Sequence, residues 1–523
     1  MSLLKYFNPK KELQNMIMKK FTLFLVFFIG LNLNASFAQM AATDLPEFAL
    51  KKVEVEAHMR FLASDELEGR RTTDRGNNIA ARYISEQFRS YGLQQVDGAD
   101  GFYQKIPFEN REPPKESFLR WDNEVYEHGK DMVVLAGDSL NLEAEVVFAN
   151  FGWVDSAKGI DDYKDLDVSG KIVVTISGLA DSQEPAVVFG SMKTKRALAA
   201  DRGAVALIEL YKLGFPWQFF KKYFGSARLD IAAESEDHKP SISYIWLKEK
   251  TENAGLELKK GKKTTFKIKT DAFIVEPKPS QNIIGMIEGT DPVLKNEYIL
   301  CSAHYDHVGT GKQGGGAFTA EDSIFNGARD NAMGVIALLS AAKSIATNPT
   351  KRSVIFVAFT GEEMGLLGSA YYADHPLIPL NQTVLNLNTD GAGYDDKTAY
   401  SVIGYDRVGL VAEFEKAAAE FGLTVIADPA PDQNLFDRSD NVNFAVKGIP
   451  APTISPGTTG FSEEITKHYH QVSDNPDTID YDYLLIYCKV YAYLSRLIGD
   501  KAETPRWKAG DKYESAGKML YGY

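Results

Sequence analysis

At 523 residues the chain is too long for one ordinary domain, and two or three domains with at least one large core are expected. Its composition is that of a globular protein, with 44% hydrophobic, 25% charged and 11% aromatic residues. The formal net charge of -13 argues against a nucleic-acid partner, because proteins that bind nucleic acid carry basic patches.

The chain opens with Lys19-Lys20 before an apolar run at residues 21–33, followed by Ala35-Ser36-Phe37-Ala38. Ser36 and Ala38 put small residues at the two positions a signal peptidase reads, which makes residues 1–38 a predicted secretory signal. Met18 is an alternative start. The run is shorter than the about 20 residues of a bilayer span. No later segment approaches one, so an exported chain without a stable membrane span is expected.

Residues 53–67 and 79–91 read as helices. The second has Ile79, Tyr83, Ile84 and Phe88 at helical spacing and Gly92 as its stop. Glu68-Gly69-Arg70-Arg71-Thr72-Thr73 between them reads as a polar loop. Residues 39–139 are assigned to the first part of a catalytic domain. From 140 to 272 the texture turns β-rich, with strand-like runs at 144–148, 171–176, 204–210, 241–247 and 264–270 and a helical stretch at 193–202. This segment reads as an inserted β-rich module.

From Asn282 the pattern becomes alternating strand and helix. Strands are predicted at 282–287, 298–303, 354–359 and 384–387. Helices are predicted at 332–346, 365–372, 409–421 and 481–497. Near-continuous apolar strands between helices predict an α/β fold with a mixed, mainly parallel sheet covered on both faces. In such sheets ligands bind at the carboxyl ends of strands. Residues 273–500 form the second part of the catalytic domain, and 501–523 a polar, peripheral tail. Cys301 falls in a strand and Cys488 on an apolar helical stripe, so both read as small buried hydrophobes. Gly314-Gly315-Gly316 follows no strand and lacks the Lys-Ser/Thr of a phosphate loop; it reads as a mobile loop near the site.

Five metal-ligand residue types follow in order through this half: His304, Asp330, Glu363, Asp390 and His470. Singly, each has a plainer reading: a structural histidine, a helix cap at Asp330, a solvated turn at Glu362-Glu363. Jointly, and at the strand ends of one sheet, they are the inventory of a two-metal hydrolytic site. Zinc takes imidazole nitrogen and carboxylate oxygen and leaves a position open for catalysis. Two ions about 3.5–4 Å apart need a shared anion. Asp330 is the expected bridge, with His304 and Asp390 completing one set and Glu363 and His470 the other. Glu362 is the expected general base. Asp306 is expected to accept the second imidazole N–H of His304 and fix its tautomer. His307 and His468 flank proposed ligands and are alternative donors.

The strings Ala303-His304-Tyr305-Asp306, Gly327-Ala328-Arg329-Asp330-Asn331, Thr360-Gly361-Glu362-Glu363-Met364-Gly365, Asn388-Thr389-Asp390 and His470-Gln471-Val472-Ser473-Asp474 resemble the co-catalytic dizinc aminopeptidases. That family includes aminopeptidase Y, the bacterial leucyl aminopeptidases, and the glutamate carboxypeptidase II and transferrin-receptor branch. The resemblance implies two Zn2+ per chain, the same residue roles, a cis peptide after Asp330, and peptides as substrates. Asp161-Asp162-Tyr163 and the strings around Asp167 and Gly203 resemble the protease-associated domain. Asn441 stands where the family often has a histidine that is not a ligand. Aminopeptidase is the expected activity. The alternatives are a dizinc carboxypeptidase, for which Arg329 or Arg438 would hold a terminal carboxylate, a one-metal glutaminyl cyclase, and a non-catalytic receptor-like protein. Side-chain preference and oligomeric state are not legible.

Overall fold

Apolar runs of five to eight residues become the strands of a central eight-stranded sheet: β1 (Tyr103–Ile106), β2 (Ser280–Ile287), β3 (Tyr298–His304), β4 (Ser353–Phe359), β5 (Thr383–Thr389), β6 (Ala399–Ile403), β7 (Thr424–Ala427) and β8 (Thr453–Pro456), with β1, β7 and β8 shorter at four residues each. The computed structural model describes residues 44–183, 185–214, 216–232, 242–250 and 254–523, so the predicted signal at 1–38 lies outside it. The spatial order is β1-β2-β4-β3-β5-β8-β6-β7. The three central pairings, β4 with β3, β3 with β5 and β5 with β8, are parallel. The mixed, mainly parallel sheet expected from the sequence is therefore present. The strands β1, β6, β7 and β8 lie outside the predicted ones. β1 alternates buried and exposed positions, β7 is half-exposed, and β8 is short and stands beside Pro450 and Pro452, so none of these three shows a long apolar run.

Helices cover both faces, as burial of every residue in β4 and β5 requires. Cys301 on β3 meets Ser495 of the helix Tyr481–Asp500, and Phe356 on β4 meets Phe88 of the helix Arg75–Tyr91. That face also takes the helix Met333–Thr347, which packs on Tyr481–Asp500 and is buried along most of its length. On the opposite face Phe359 packs on Tyr372 of the helix Leu367–Asp374 and on Phe444 of the short helix Asn441–Ala445. Both cysteines are buried and free, as expected.

A second eight-stranded sheet runs, in spatial order, through Glu124–Glu127, Phe118–Trp121, Thr265–Thr270, Leu140–Phe148, Ile172–Ile176, Ala206–Leu210, Ser243–Leu247 and Met132–Ala136. Ile172 and Val174 enter one apolar cluster while Val173 enters another, so this sheet buries both faces with the two-residue period of a strand. Its earliest strand starts at Phe118, well before the boundary at residue 140 read from the sequence. The strands Phe118–Trp121 and Glu124–Glu127 are only four residues long and include charged residues, and that weak signal hid them. The chain enters and leaves this module through paired antiparallel strands, Phe108–Glu112 and Ile274–Pro277, joined by Arg228–Ile231.

The C-terminal segment is not peripheral. Trp507 is buried, donates its indole N–H to Gly448 O at 2.9 Å, and lies with Phe436 and Tyr513 around the Arg407 guanidinium. Isolated aromatics in a polar stretch leave no periodic pattern, so the sequence concealed this packing. No helix among the described residues is long and apolar enough to cross a membrane.

Candidate metal centre

Strand ends deliver three of the five expected ligands. His304 is the last residue of β3, Asp390 follows β5 directly, and Glu362-Glu363 sits in the turn after β4. Asp330 lies in the distorted turn Ala328–Ala332 ahead of the helix Met333–Thr347, and its peptide bond to Asn331 is cis, as the resemblance implied. His470 follows the helix Glu463–His468 with a left-handed φ of 54°.

All five expected ligands converge. His304 Nε2 is 3.1 Å from Asp390 Oδ1 and 3.3 Å from Asp330 Oδ1. His470 Nε2 is 3.2 Å from both Asp330 Oδ2 and Glu363 Oε2. The two oxygens of Asp330 are thus divided between the two sets. Bonds of about 2.0–2.1 Å around a four-coordinate zinc give neighbouring ligand atoms a spacing of about 3.3 Å. The four contacts fall at that spacing. His470 Nε2 is buried among carboxylate oxygens without making a well-formed hydrogen bond to them, which suits a lone pair aimed at a cation. Four carboxylates, Asp330, Glu362, Glu363 and Asp390, meet here with the imidazoles of His304, His307 and His470. The residues present therefore fit a pair of divalent cations.

The electrostatics carry the same signature. Burial alone would lower the His304 imidazole, but Asp390 and Glu362 hold it well above its ordinary value. Burial likewise opposes the charged form of Asp330, yet the His304 and His470 imidazoles against its two oxygens hold it well below the usual carboxylate range. Glu363 is held at about 2, against burial and Asp330, by His307 and His470. Glu362 is pushed well up by burial, opposed by His304 and reinforced by Asp390 and Glu363. Among these carboxylates, Glu362 is the one the site predisposes to carry a proton.

The surrounding residues depart from the sequence reading. His304 Nδ1 faces the main-chain oxygen of Asp306 at 3.2 Å, while the Asp306 carboxylate lies 3.8 Å away. That carboxylate instead accepts the main-chain N–H groups of Glu362 and Glu363 and the Thr72 hydroxyl at 2.9 Å. Asp306 therefore holds the Glu362-Glu363 turn. It does not set the histidine tautomer through its side chain.

His307, an alternative donor in the sequence reading, is fully buried and places Nδ1 2.8 Å from Glu363 Oε1. That oxygen is the one turned away from His470, and the distance is that of a hydrogen bond. His468 is absent from both donor groups and instead meets Ser473 O at 3.0 Å.

Other supports were missed. Asp474 accepts the N–H groups of Arg329 and Asp330 and pairs with the Arg329 guanidinium at 3.0 Å. Ser439 donates to Asp390 Oδ2 at 2.5 Å. Arg70, read as part of a polar loop, is buried and donates to the carbonyls of Tyr305, Leu62, Asn326 and Gly327. Their signal in sequence is only a polar residue type; partners up to 257 residues away give it meaning. Gly314 and Gly316 are packed, not an open loop: a Cβ on Gly316 would lie 2.3 Å from His470 O. Asn441 is buried and caps the carbonyls of Phe436 and Ala451.

Two depressions meet at the donors. One is small and largely apolar beyond the donors, with Ile403, Pro429, Ala430, Leu435, Phe461 and Ile465 in its wall. The other is a broad cleft extending under the inserted module. Glu362, Glu363, Arg438 and Tyr469 line both.

Comparison with known proteins agrees with this geometry. Residues 282–495 match peptidase family M28. A probable leucine aminopeptidase 2 of Aspergillus oryzae is 27% identical over 242 residues, 42% of this chain and 44% of that protein. Aminopeptidase YwaD of Bacillus subtilis is 25% identical over 370 residues, 67% of this chain and 75% of that protein. The chain thus spans less than half the length of the fungal relative. The solved aminopeptidase of Aneurinibacillus sp. strain AM-1 superposes with a TM-score of 0.52 at 21% identity, covering 87% of this chain and 95% of that one, and so shares the fold.

Proposed function

Because residues 282–495 belong to peptidase family M28, we propose that the chain is a zinc-dependent aminopeptidase that removes apolar residues from the amino end of peptides. The observation that carries this reading is the position of Glu362. It lies at the junction of a small apolar pocket and a broad cleft, beside both donor sets. A terminal apolar side chain fits the pocket, the rest of the peptide follows the cleft, and the bond between them falls at the donors.

His304, Asp330, Glu363, Asp390 and His470 would hold two zinc ions, whose chemistry there would be to acidify a water and polarise the substrate carbonyl. Asp390 provides the negative surroundings that suit a free α-amine. Glu362 takes the proton of the attacking water at its carboxylate and returns it to the nitrogen of the leaving amine. Asp306 keeps Glu362 in place by holding its main-chain N–H. Asp440, pushed up to about 7 mainly by burial against the pull of His304, adds further acidic surroundings and is held by Ser369.

Arg329 gives no support to the carboxypeptidase alternative. Its guanidinium is committed to Asp474 and Thr478. Arg438 remains exposed at the cleft, so that alternative is decided by substrate. Leucyl peptides with a free or acetylated amine, each with a free or amidated carboxyl end, separate the readings. Turnover is expected to need the free amine only. Hydrolysis of acetylated peptides that needs a free carboxyl end would assign a carboxypeptidase. Elemental analysis is expected to give two zinc per chain, and a reproducible value of one would favour the cyclase. We also propose that residues 1–38 are an export signal and that the inserted module is a protease-associated domain. Amino-terminal sequencing of the secreted protein is expected to begin after Ala38.

A further inference from the structure

The acidic chain reverses sign in the wall of the broad cleft. In the whole sequence Asp and Glu outnumber Lys and Arg, 71 to 58. In the wall of the broad cleft the basic residues Arg71, Lys222, Arg228, Lys278, Lys312 and Arg438 face a single carboxylate, Asp74, apart from Glu362 and Glu363 of the donor sets. Arg228 and Lys278 are paired with Asp230 and Glu276. Arg71, Lys222, Lys312 and Arg438 make no ion pair among the described residues. Arg71 donates to the carbonyl of Val308. These four come from four separate segments: the loop after the first helices, the helix Trp217–Phe224 of the inserted module, the turn Gly311–Gln313, and the segment after Leu435–Asp437. Their convergence is a product of the fold and not of a local run of lysines.

Unpaired cations gathered in a concave wall raise the local concentration of anions and speed their capture. Arg71, Lys222 and Lys312 line the broad cleft, where the leaving part of a peptide would run, and not the apolar pocket, and Arg438 borders both. We propose that this cleft selects peptides carrying carboxylates downstream of the scissile bond. The carboxylate would come from acidic side chains or from the free carboxyl end of a short peptide. This rests on the aminopeptidase reading above for its direction along the chain, and the cationic wall itself is independent of it.

The test compares kcat/KM for Leu-Glu-Glu-Ala-amide, Leu-Ala-Ala-Ala-amide, Leu-Lys-Lys-Ala-amide and Leu-Ala-Ala-Ala with a free carboxyl end. At low salt the Glu peptide is expected to exceed the Lys peptide by about tenfold or more. That ratio should collapse near 1 M salt, where the screening length is about 3 Å. The double variant Lys222→Glu, Lys312→Glu should invert the order. Lys416→Glu, an exposed change of the same sign outside the cleft, should leave it intact. A gain for the free acid over its amide identifies the carboxyl end as a source, and a gain for the Glu peptide alone identifies side chains. Equal rates for the Glu and Lys peptides, or an order that survives the double variant, would overturn the proposal. If no free-amine peptide is cleaved, the aminopeptidase reading fails and the cleft is judged by binding. Fluorescence anisotropy with labelled, acetylated versions of the Glu and Lys peptides should then favour Glu in the parent and not in the double variant. Equal binding would sink the proposal.

Discussion

Glu363 divides its carboxylate between two kinds of neighbour, Oε2 facing His470 and Oε1 facing His307. A hydrogen bond to the oxygen turned away from His470 fixes the rotamer that presents the other one. His307→Ala is therefore expected to weaken metal binding by about 10–100-fold while the chain stays folded. A competition titration against a chromogenic chelator measures it, and unchanged affinity would mean that the imidazole only fills space. Glu362 has the opposite expectation. Its carboxylate is proposed to move protons, so Glu362→Gln should lower kcat by about 10²–10⁴-fold with metal content unchanged. Parent-like turnover in that variant would remove Glu362 from the chemistry.

At the scale of elements, the turn Ala328–Ala332 and the end of β5 are locked together at one close approach. Asn331 Nδ2 donates to Thr389 O at 3.0 Å, and Asn331 Oδ1 accepts the Gly334 N–H at 3.1 Å. A Cβ on Gly334 would lie 2.2 Å from Asn331 Oδ1 and 2.7 Å from Thr389 O. Neither neighbour can retreat without shifting Asp330 or Asp390, which adjoin them in the chain. Gly334→Ala should therefore cost about 1–3 kcal/mol of stability by overpacking, and it should lower metal occupancy as well. Denaturant melts with metal analysis check this, and a variant with normal stability and occupancy would show the contact to be slack. The strand ends bearing His304 and Asp390 were legible because β3 and β5 carry apolar runs. The Gly334 contact was not, since it joins the helix start to a strand end far along the chain.

For the whole molecule, two bodies of different dependence share one chain. The catalytic sheet and its helices form one large core, and the inserted sheet has apolar clusters of its own on either face. Only the first body holds the crowded carboxylates. Without cations their mutual repulsion remains, and bound ions stabilise the folded state by mass action. A chelator is thus expected to lower one calorimetric transition by several degrees and to leave a second, assigned to the inserted module, in place. A single transition that moves as a unit would show that the stems Phe108–Glu112 and Ile274–Pro277 couple the two bodies tightly.

Residue order alone made legible the chemistry proposed for this protein: which side chains are candidate metal donors, that His304, Glu363 and Asp390 follow strands, and that one glutamate is left over. Those facts are written in nearest-neighbour patterns, since an apolar run ending in a polar residue is a property of adjacent positions. Tertiary packing decided the rest. It turned the Asp306 carboxylate to the Glu362-Glu363 turn, brought His307 to Glu363, seated Trp507 in the core, and gathered into one wall, from four segments, four cations that make no ion pair among the described residues. Each of these depends on distances between parts of the chain far apart in sequence, and such distances are set by how whole layers pack, not by any local run of residues.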